Sequence, residues 1–216
     1  QEETRATAIH EAGHAAAGHV YLEKDLLSTR LSIRKRGGSL GHYQSMEKDE
    51  RFSHFRGRVM GELVMTLGAM AAEHVFYGEN SQGVGGDVQS ATATAAAMVG
   101  MWAMGPDPVH IAGSLEADDD RDAVLKRLER IGSTIMNRAG SPGLLGDNPI
   151  GAVLGSADKK RAAAQILGQA YITAYALMDA NREALEKIAD ALVERKEIYG
   201  DEVGALLDSV SLQRPA

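Results

Sequence analysis

Residues 4–21 read TRATAIHEAGHAAAGHVY, a stretch without proline in which alanine, the best helix former, recurs throughout. The stretch predicts a long helix near the beginning of the chain. Within it, residues 10–14 (HEAGH) fit the pattern H-E-x-x-H. Because residues four apart lie on the same face of a helix, the imidazoles of His10 and His14 can reach one metal ion. Zinc binds such nitrogens at ~2.0–2.1 Å.

The glutamate beside the first histidine has its own expected role. Glu11 can lie next to the open coordination position of the ion without binding the ion. There it can take a proton from a water that the ion acidifies and pass it to the amine that leaves when a peptide bond is cut. An alanine-rich helix can carry such a pattern by chance, but the small neighbours Ala12 and Gly13 favour a true zinc site.

A catalytic zinc site needs a third protein ligand, and the nearest downstream histidine does not fit. The extended metzincin pattern places a glycine and a histidine at positions that hold Ala17 and Val20 in this chain. His19 lies one residue too early. The sequence therefore excludes a metzincin site, and we interpret His19 as a polar residue of the same helix.

The remaining candidates for the third ligand are Glu73, His74 and Asp87. Glu73 lies on a predicted helix, as the third ligand does in thermolysin-like enzymes. Its alternative role is a carboxylate that orients a ligand imidazole. Asp87 follows a glycine-rich loop at a predicted helix start, where aspartate is also a favoured N-cap. Local sequence favours the ligand and the cap about equally for Asp87.

The rest of the chain is predicted to be mainly α with a small β-hairpin or sheet. Two short alternating segments, 29–35 and 40–46, flank a pair of glycines and predict the hairpin. Glycine and proline in 140–157 predict a loop. Asn181 is predicted to cap the helix that follows it. Apolar periodicity predicts further helices over 54–77, 87–104, 118–138, 158–179, 181–196 and 201–209.

The composition excludes several classes of protein. Of the 216 residues, 44% are hydrophobic and 25% are charged, an ordinary balance for a globular domain. The formal charge of −7 makes nucleic acid an unexpected partner. The absence of cysteine excludes disulfides and cysteine-bound zinc, and we expect no membrane span. Because the chain begins almost inside the metal motif, we expect it to be part of a longer protein.

Several separated segments together resemble one family. IHEAGHA (9–15), LVMTLGAMAAEHVFYGE (63–79) and GVGGDVQSATATAAAMVGMWAMG (83–105) occur in this order. They resemble the peptidase domain of the FtsH family of ATP-dependent zinc metalloproteases. The segment AYALMDANREALEKIADALVERKEIYGDEV (174–203) resembles the helical end of that domain.

The resemblance implies a zincin-like active-site helix followed by a C-terminal helical bundle. In this family the aspartate of the third motif is the third zinc ligand. Asp87 is therefore the expected partner of His10 and His14, with Glu11 as the catalytic residue. The resemblance also implies that the strand at 40–46 borders the cleft. The expected organisation is one zinc metallopeptidase domain over 1–216, with a catalytic core (1–110), a variant insertion (111–160) and a C-terminal helical part (161–209).

The implied function is hydrolysis of unfolded polypeptides that an AAA+ ATPase delivers, in a homohexamer that serves protein quality control. No G-x-x-x-x-G-K-[ST] loop occurs, so the motor is not in this chain. The resemblance implies the cytoplasmic side of a membrane, with this chain soluble and the anchoring segments absent from it. The alternative is a non-catalytic zinc-binding scaffold for hexamer assembly. A fourth ligand from His19, His74 or His110 would favour that alternative.

Overall fold

The computed structural model describes residues 2–34, 41–106 and 149–215, together with Lys126, Glu129, Ile131, Gly132 and Ile135. Its strands are β1 (Leu26–Ser32), β2 (His42–Glu47) and β3 (Glu197–Tyr199). A short 3-10 turn, Gln82–Val84, precedes α3. The helices are α1 (Glu2–Leu22), α2 (Arg56–Tyr77), α3 (Gly85–Gly100), α4 (Pro149–Leu154), α5 (Ala157–Ala180), α6 (Arg182–Arg195) and α7 (Asp201–Ser209).

The predicted fold class, mainly α with a small sheet, is confirmed. The sheet is antiparallel, with the strand order β2-β1-β3. Leu31 pairs with Tyr43 on one side and with Ile198 on the other. Sequence analysis missed β3 because three residues are too few to display an alternating pattern.

The chain folds into two compact units. The first comprises Gln1–Ala91 and Gln169–Ala216 and contains the sheet, α1, α2, α6 and α7. The second comprises Thr92–Gly168 and buries apolar side chains of its own, among them Met98, Val153 and Ile166. The organisation expected from the resemblance, with boundaries near 110 and 160, stays a prediction.

Two local expectations were wrong. Part of the predicted loop 140–157 is the helix α4, which begins at Pro149; proline fits the first helical position because no N–H is needed there. Asn181 does not cap α6 with its side chain. Its amide instead donates to the carbonyl oxygens of Leu177 and Gln213 at 2.8 Å, and its Oδ1 accepts from the Gln213 N–H. The residue therefore holds the C-terminal segment.

The other predictions have mixed outcomes. The helix predicted over 118–138 lies mostly outside the described residues, although its five described residues are helical. One helix of the described part, α2, is long and apolar enough to cross a membrane, which the sequence analysis did not expect. About 61% of its apolar window is buried inside the fold, as in the core helix of a globular domain.

The helices α1 and α2 cross with their backbones in contact. A methyl group added at Gly13 would lie 2.5 Å from the carbonyl oxygen of Gly68. One added at Gly68 would lie 2.6 Å from the carbonyl oxygen of Gly13. Alanines fill the rest of this face of α1, with Ala12 and Ala16 fully buried. The small side chains therefore allow a spacing between the helices that larger residues would prevent.

This crossing predicts opposite effects for two glycine substitutions in α2. Gly68→Ala should lower the free energy of unfolding by roughly 1–3 kcal/mol, because the new methyl group meets backbone that cannot rotate away. Gly57→Ala is the matched control, since nothing lies within 4 Å of its added methyl group. It should raise that free energy by about 0.5–1 kcal/mol. Urea unfolding followed by circular dichroism measures both, and equal effects would contradict the close crossing.

A buried carboxylate joins β3 to β1. The side chain of Glu197 is 5% exposed and accepts a hydrogen bond from Arg30 Nε at 2.9 Å. Hydrogen bonds from Tyr199, Arg30 and Ser32 outweigh the effect of burial and lower the pKa of Glu197 to about 2. The carboxylate form therefore stabilises the pairing of the two strands.

The lowered pKa predicts a pH-dependent effect of Glu197→Gln. An acid whose pKa is lower in the folded state stabilises the fold above its unfolded pKa, which is about 4.3 for glutamate. The variant should thus be less stable than the wild type at pH 7. The difference should shrink as the pH falls from about 4.3 towards about 2. Urea unfolding across this range tests it. Glu202→Gln, in an exposed ion pair with Arg195, is the control and should change stability little.

Candidate metal centre

Two imidazoles of α1 lie side by side on one face of the helix. The ring centroids of His10 and His14 are 5.1 Å apart, and the ring planes meet at 81°. Both side chains are largely buried. The four-residue spacing thus brings the rings together, as the sequence predicted.

The hydrogen bonds of the two rings fix where their protons lie. His10 Nδ1 lies 2.8 Å from Glu73 Oε1, and His14 Nδ1 lies 2.9 Å from the carbonyl oxygen of Met65. Because a carboxylate and a carbonyl can only accept, each Nδ1 carries a proton and donates it. When the rings are neutral, both Nε2 atoms therefore present lone pairs, which is the form that binds a metal ion.

Asp87 supplies a third electron-pair donor at the same point. It is the third residue of α3 rather than the residue before the helix. Its Oδ2 lies 3.4 Å from His10 Nε2 and 3.3 Å from His14 Nε2. In tetrahedral zinc coordination at ~2.05 Å, two ligand atoms lie roughly 3.3 Å apart. The donor set and its spacing therefore fit zinc.

The carboxylate of Glu73 contacts Nδ1 of His10. It does not lie at the point where Asp87 and the two Nε2 atoms meet. Glu73 is 4% exposed, and its Oε2 accepts from the Ser81 N–H at 2.6 Å. Burial alone would raise its pKa, but the hydrogen bonds from His10 and Ser81 outweigh burial and lower the pKa. Of the two roles open to Glu73 in the sequence, its contacts match the one that orients an imidazole.

Glu11 lies in a different electrostatic environment. It is 5% exposed, and burial raises the pKa of its carboxyl group. The nearby His14 and His10 act against this rise, and the charge of Asp87 adds to it. A raised pKa strengthens a carboxylate as a proton acceptor near neutral pH. The backbone of Gly41, the residue before β2, packs directly against this side chain.

The other histidines named in the sequence lie elsewhere. His19 Nε2 lies 3.4 Å from Asp208 Oδ1. His74 is exposed, and its ring packs against Tyr175 with the centroids 6.0 Å apart. His110 lies outside the described residues. In the described part of the chain, the group at the imidazoles therefore consists of His10, His14 and Asp87.

A second group of possible ligands contains Glu47, His54 and Glu62, but an arginine already lies between its carboxylates. Arg58 contacts Glu47 at 2.6 Å and Glu62 at 2.9 Å. A guanidinium at this position disfavours a metal cation. We interpret the second group as an ion-pair network that joins β2 to α2.

Sequence reasoning missed two residues next to the centre, Ser81 and Gly41. Neither residue type signals a metal site, and both contacts are non-local in sequence. The only available signal was their position: Ser81 immediately precedes the turn before Asp87, and Gly41 lies in the segment 40–46 that was expected to border the cleft.

A helix that carries H-E-x-x-H, packed against a small antiparallel sheet, defines a zincin-like domain. The profile of Peptidase family M41 matches residues 1–132. The chain belongs to Peptidase family M41 and is the peptidase domain of an FtsH-like zinc metalloprotease.

Curated relatives match almost the whole chain. The ATP-dependent zinc metalloprotease FtsH 3 of Symbiobacterium thermophilum is 28% identical over 215 residues, which are 100% of this chain and 31% of that protein. FtsH 1 of the same bacterium is 31% identical and matches 96% of this chain, over 30% of its own length. FtsH 4 of Sphaerobacter thermophilus is 29% identical over 96% of this chain and 28% of its own length. The chain thus spans about a third of the relatives' length.

Proposed function

We propose that this chain is a zinc-dependent endopeptidase in which His10, His14 and Asp87 hold the ion and Glu11 is the catalytic base. One observation carries the proposal. Two imidazole Nε2 atoms and a carboxylate oxygen meet at 3.3–3.4 Å beside the buried Glu11.

The chemistry follows from the environment of each residue. Zinc, when bound, supplies Lewis acidity that activates water and polarises a carbonyl oxygen. Glu11 accepts the proton of the attacking water and then donates it to the leaving amine, for which the raised pKa of its carboxyl group is suited. Glu73 and the Met65 carbonyl hold the two imidazoles in the tautomer that leaves each Nε2 free of a proton.

The position of β2 supports unfolded polypeptides as substrates. Among the described residues, β2 pairs with β1 and forms the edge of the sheet. Gly41, the residue before this strand, adjoins Glu11. An extended polypeptide that adds to this edge would bring a peptide bond near the base. Backbone pairing of this kind selects for extended chains more than for particular side chains.

The names of the relatives extend the proposal to the whole protein. They are ATP-dependent zinc metalloproteases, and this chain spans about a third of their length. We propose that 1–216 is one peptidase domain of a longer protein with an AAA+ motor. We further propose that this protein assembles as a homohexamer and works in quality control on the cytoplasmic side of a membrane.

The scaffold alternative requires a fourth protein ligand that closes the zinc site. His19 and His74 are directed to other partners, and Glu11 is retained. No observation in the described part of the chain favours the scaffold over the enzyme.

Glu11→Gln should separate zinc binding from catalysis. We expect near-stoichiometric zinc in this variant but a turnover of casein or a flexible peptide that is lower by about 10²–10⁴-fold, because the base is lost. Glu23→Gln, an exposed change just after α1, is the matched control and should retain activity. Chelation should abolish wild-type cleavage, and added zinc should restore it. Equal turnover in the wild type and Glu11→Gln would end the enzyme proposal.

Gly41→Ala should displace the base without disturbing the metal ligands. The added methyl group would lie 2.8 Å from Glu11 Cγ and 2.9 Å from Cδ, so the carboxylate or the strand must shift. We expect kcat to fall roughly 10- to 100-fold, because a small misplacement of a catalytic group is costly. Zinc content should not change. The control is Gly204→Ala, whose methyl group meets no atom within 4 Å. An unaltered kcat for Gly41→Ala would contradict the assigned position of Glu11.

A further inference from the structure

Ser81 makes more contacts than a turn residue needs. It is the N-cap of the 3-10 turn Gln82–Val84, and its Oγ accepts a hydrogen bond from the Gly83 N–H at 3.1 Å. That single bond would satisfy an ordinary cap. Ser81 also contacts Glu73 twice, through its backbone N–H at 2.6 Å and through its Oγ at 3.1 Å.

The directions of these hydrogen bonds are fixed by chemistry. The Gly83 N–H can only donate, so the Ser81 oxygen accepts from it. The hydroxyl proton is then available for Glu73, whose carboxylate can only accept. Glu73 Oε1 therefore receives both the Ser81 hydroxyl and His10 Nδ1. One side chain thus joins the turn to the imidazole through a single buried carboxylate.

The turn leads directly to the proposed third ligand. α3 begins at Gly85, immediately after the turn, and Asp87 lies in its first helical turn. The position of Ser81 relative to Glu73 therefore affects both sides of the metal centre. This position orients the ring of His10, and it sets where the helix that carries Asp87 begins.

We propose that Ser81 is a positioning residue of the zinc centre, which acts through Glu73 on His10 and through the turn on Asp87. The inference rests on the proposed zinc site. Ser81 does not touch the ion or the substrate in this scheme. Its effect is to hold two ligands from different helices at the spacing that the ion requires.

Zinc affinity, measured by competition with a chromophoric chelator, tests the proposal on the purified chain. Ser81→Ala removes the hydroxyl and should weaken zinc binding by roughly 10-fold, the lower end of the cost of removing an outer hydrogen-bond partner of a metal ligand, because Ser81 contacts that partner, Glu73, and not the ligand itself. Ser81→Thr keeps the hydroxyl and should restore the affinity to within a few-fold. Ser209→Ala is the matched control, because it removes an exposed hydroxyl that is bonded to the Leu206 carbonyl. It should leave the affinity unchanged.

A double-mutant cycle with Glu73→Gln shows whether Ser81 acts through the carboxylate. If it does, Ser81→Ala should weaken zinc binding less in the Glu73→Gln background than in the wild type, and the effect that remains measures the route through the turn to Asp87. Ser81→Cys keeps a weak donor of similar size and should bind zinc with intermediate affinity. Zinc affinity should therefore decrease from Ser81→Thr to Ser81→Cys to Ser81→Ala. Any two of these variants test the proposal if the third fails to fold.

The outcomes distinguish this inference from the proposed function. Wild-type zinc affinity and turnover in Ser81→Ala would overturn the positioning role and leave the enzyme proposal intact. Effects of Ser81→Ala and Glu73→Gln that simply multiply would overturn the route through Glu73. A wild-type chain that binds no zinc would overturn the proposed function, and this inference with it. The melting temperatures of the metal-free variants report whether the fold itself has changed.

Discussion

The contact between the backbones of α1 and α2 at Gly13 and Gly68 sets the other distances at the centre. Gly13 lies between the two histidines' positions on α1, so the helix that carries the imidazoles is pressed against α2 at that point. From there α2 reaches both rings: the Met65 carbonyl accepts from His14, and Glu73 accepts from His10. A wider crossing would break both hydrogen bonds and free the rings to rotate. The glycine inside the H-E-x-x-H pattern therefore contributes to the site through packing.

The carboxylates around the imidazoles have different roles because their hydrogen-bond environments differ. Glu73 and Glu11 are almost equally buried. Glu73 has donors from His10 and Ser81, so its pKa falls and the group is a fixed negative charge. Burial dominates at Glu11, and its pKa rises. Two similar acids thereby become a permanent hydrogen-bond acceptor and a group suited to exchanging a proton.

The sequence predicted the features that depend on local periodicity. His10 and His14 share a face because the helix repeat is 3.6 residues. The long helices were predicted from the same repeat, in the spacing of their apolar residues. The local sequence did not decide the role of Asp87, since an aspartate at a helix start is also a common cap. Only the family resemblance favoured Asp87 as the ligand. Contacts between distant segments, such as that of Ser81 with Glu73, carry no local signal. β3 was missed because its pairing with β1 depends on the whole fold.

The proposed zinc ligands come from two elements that are far apart in sequence, and this gives the ion a second role. His10 and His14 are fixed by α2, whereas Asp87 follows a turn attached to α2 through Ser81. Ordering that turn costs conformational entropy. A bound ion would attract the Asp87 carboxylate and both Nε2 atoms and would so link the start of α3 to α1. Part of the free energy of metal binding is then the free energy of ordering this segment. The site that activates water would therefore also complete the fold around it.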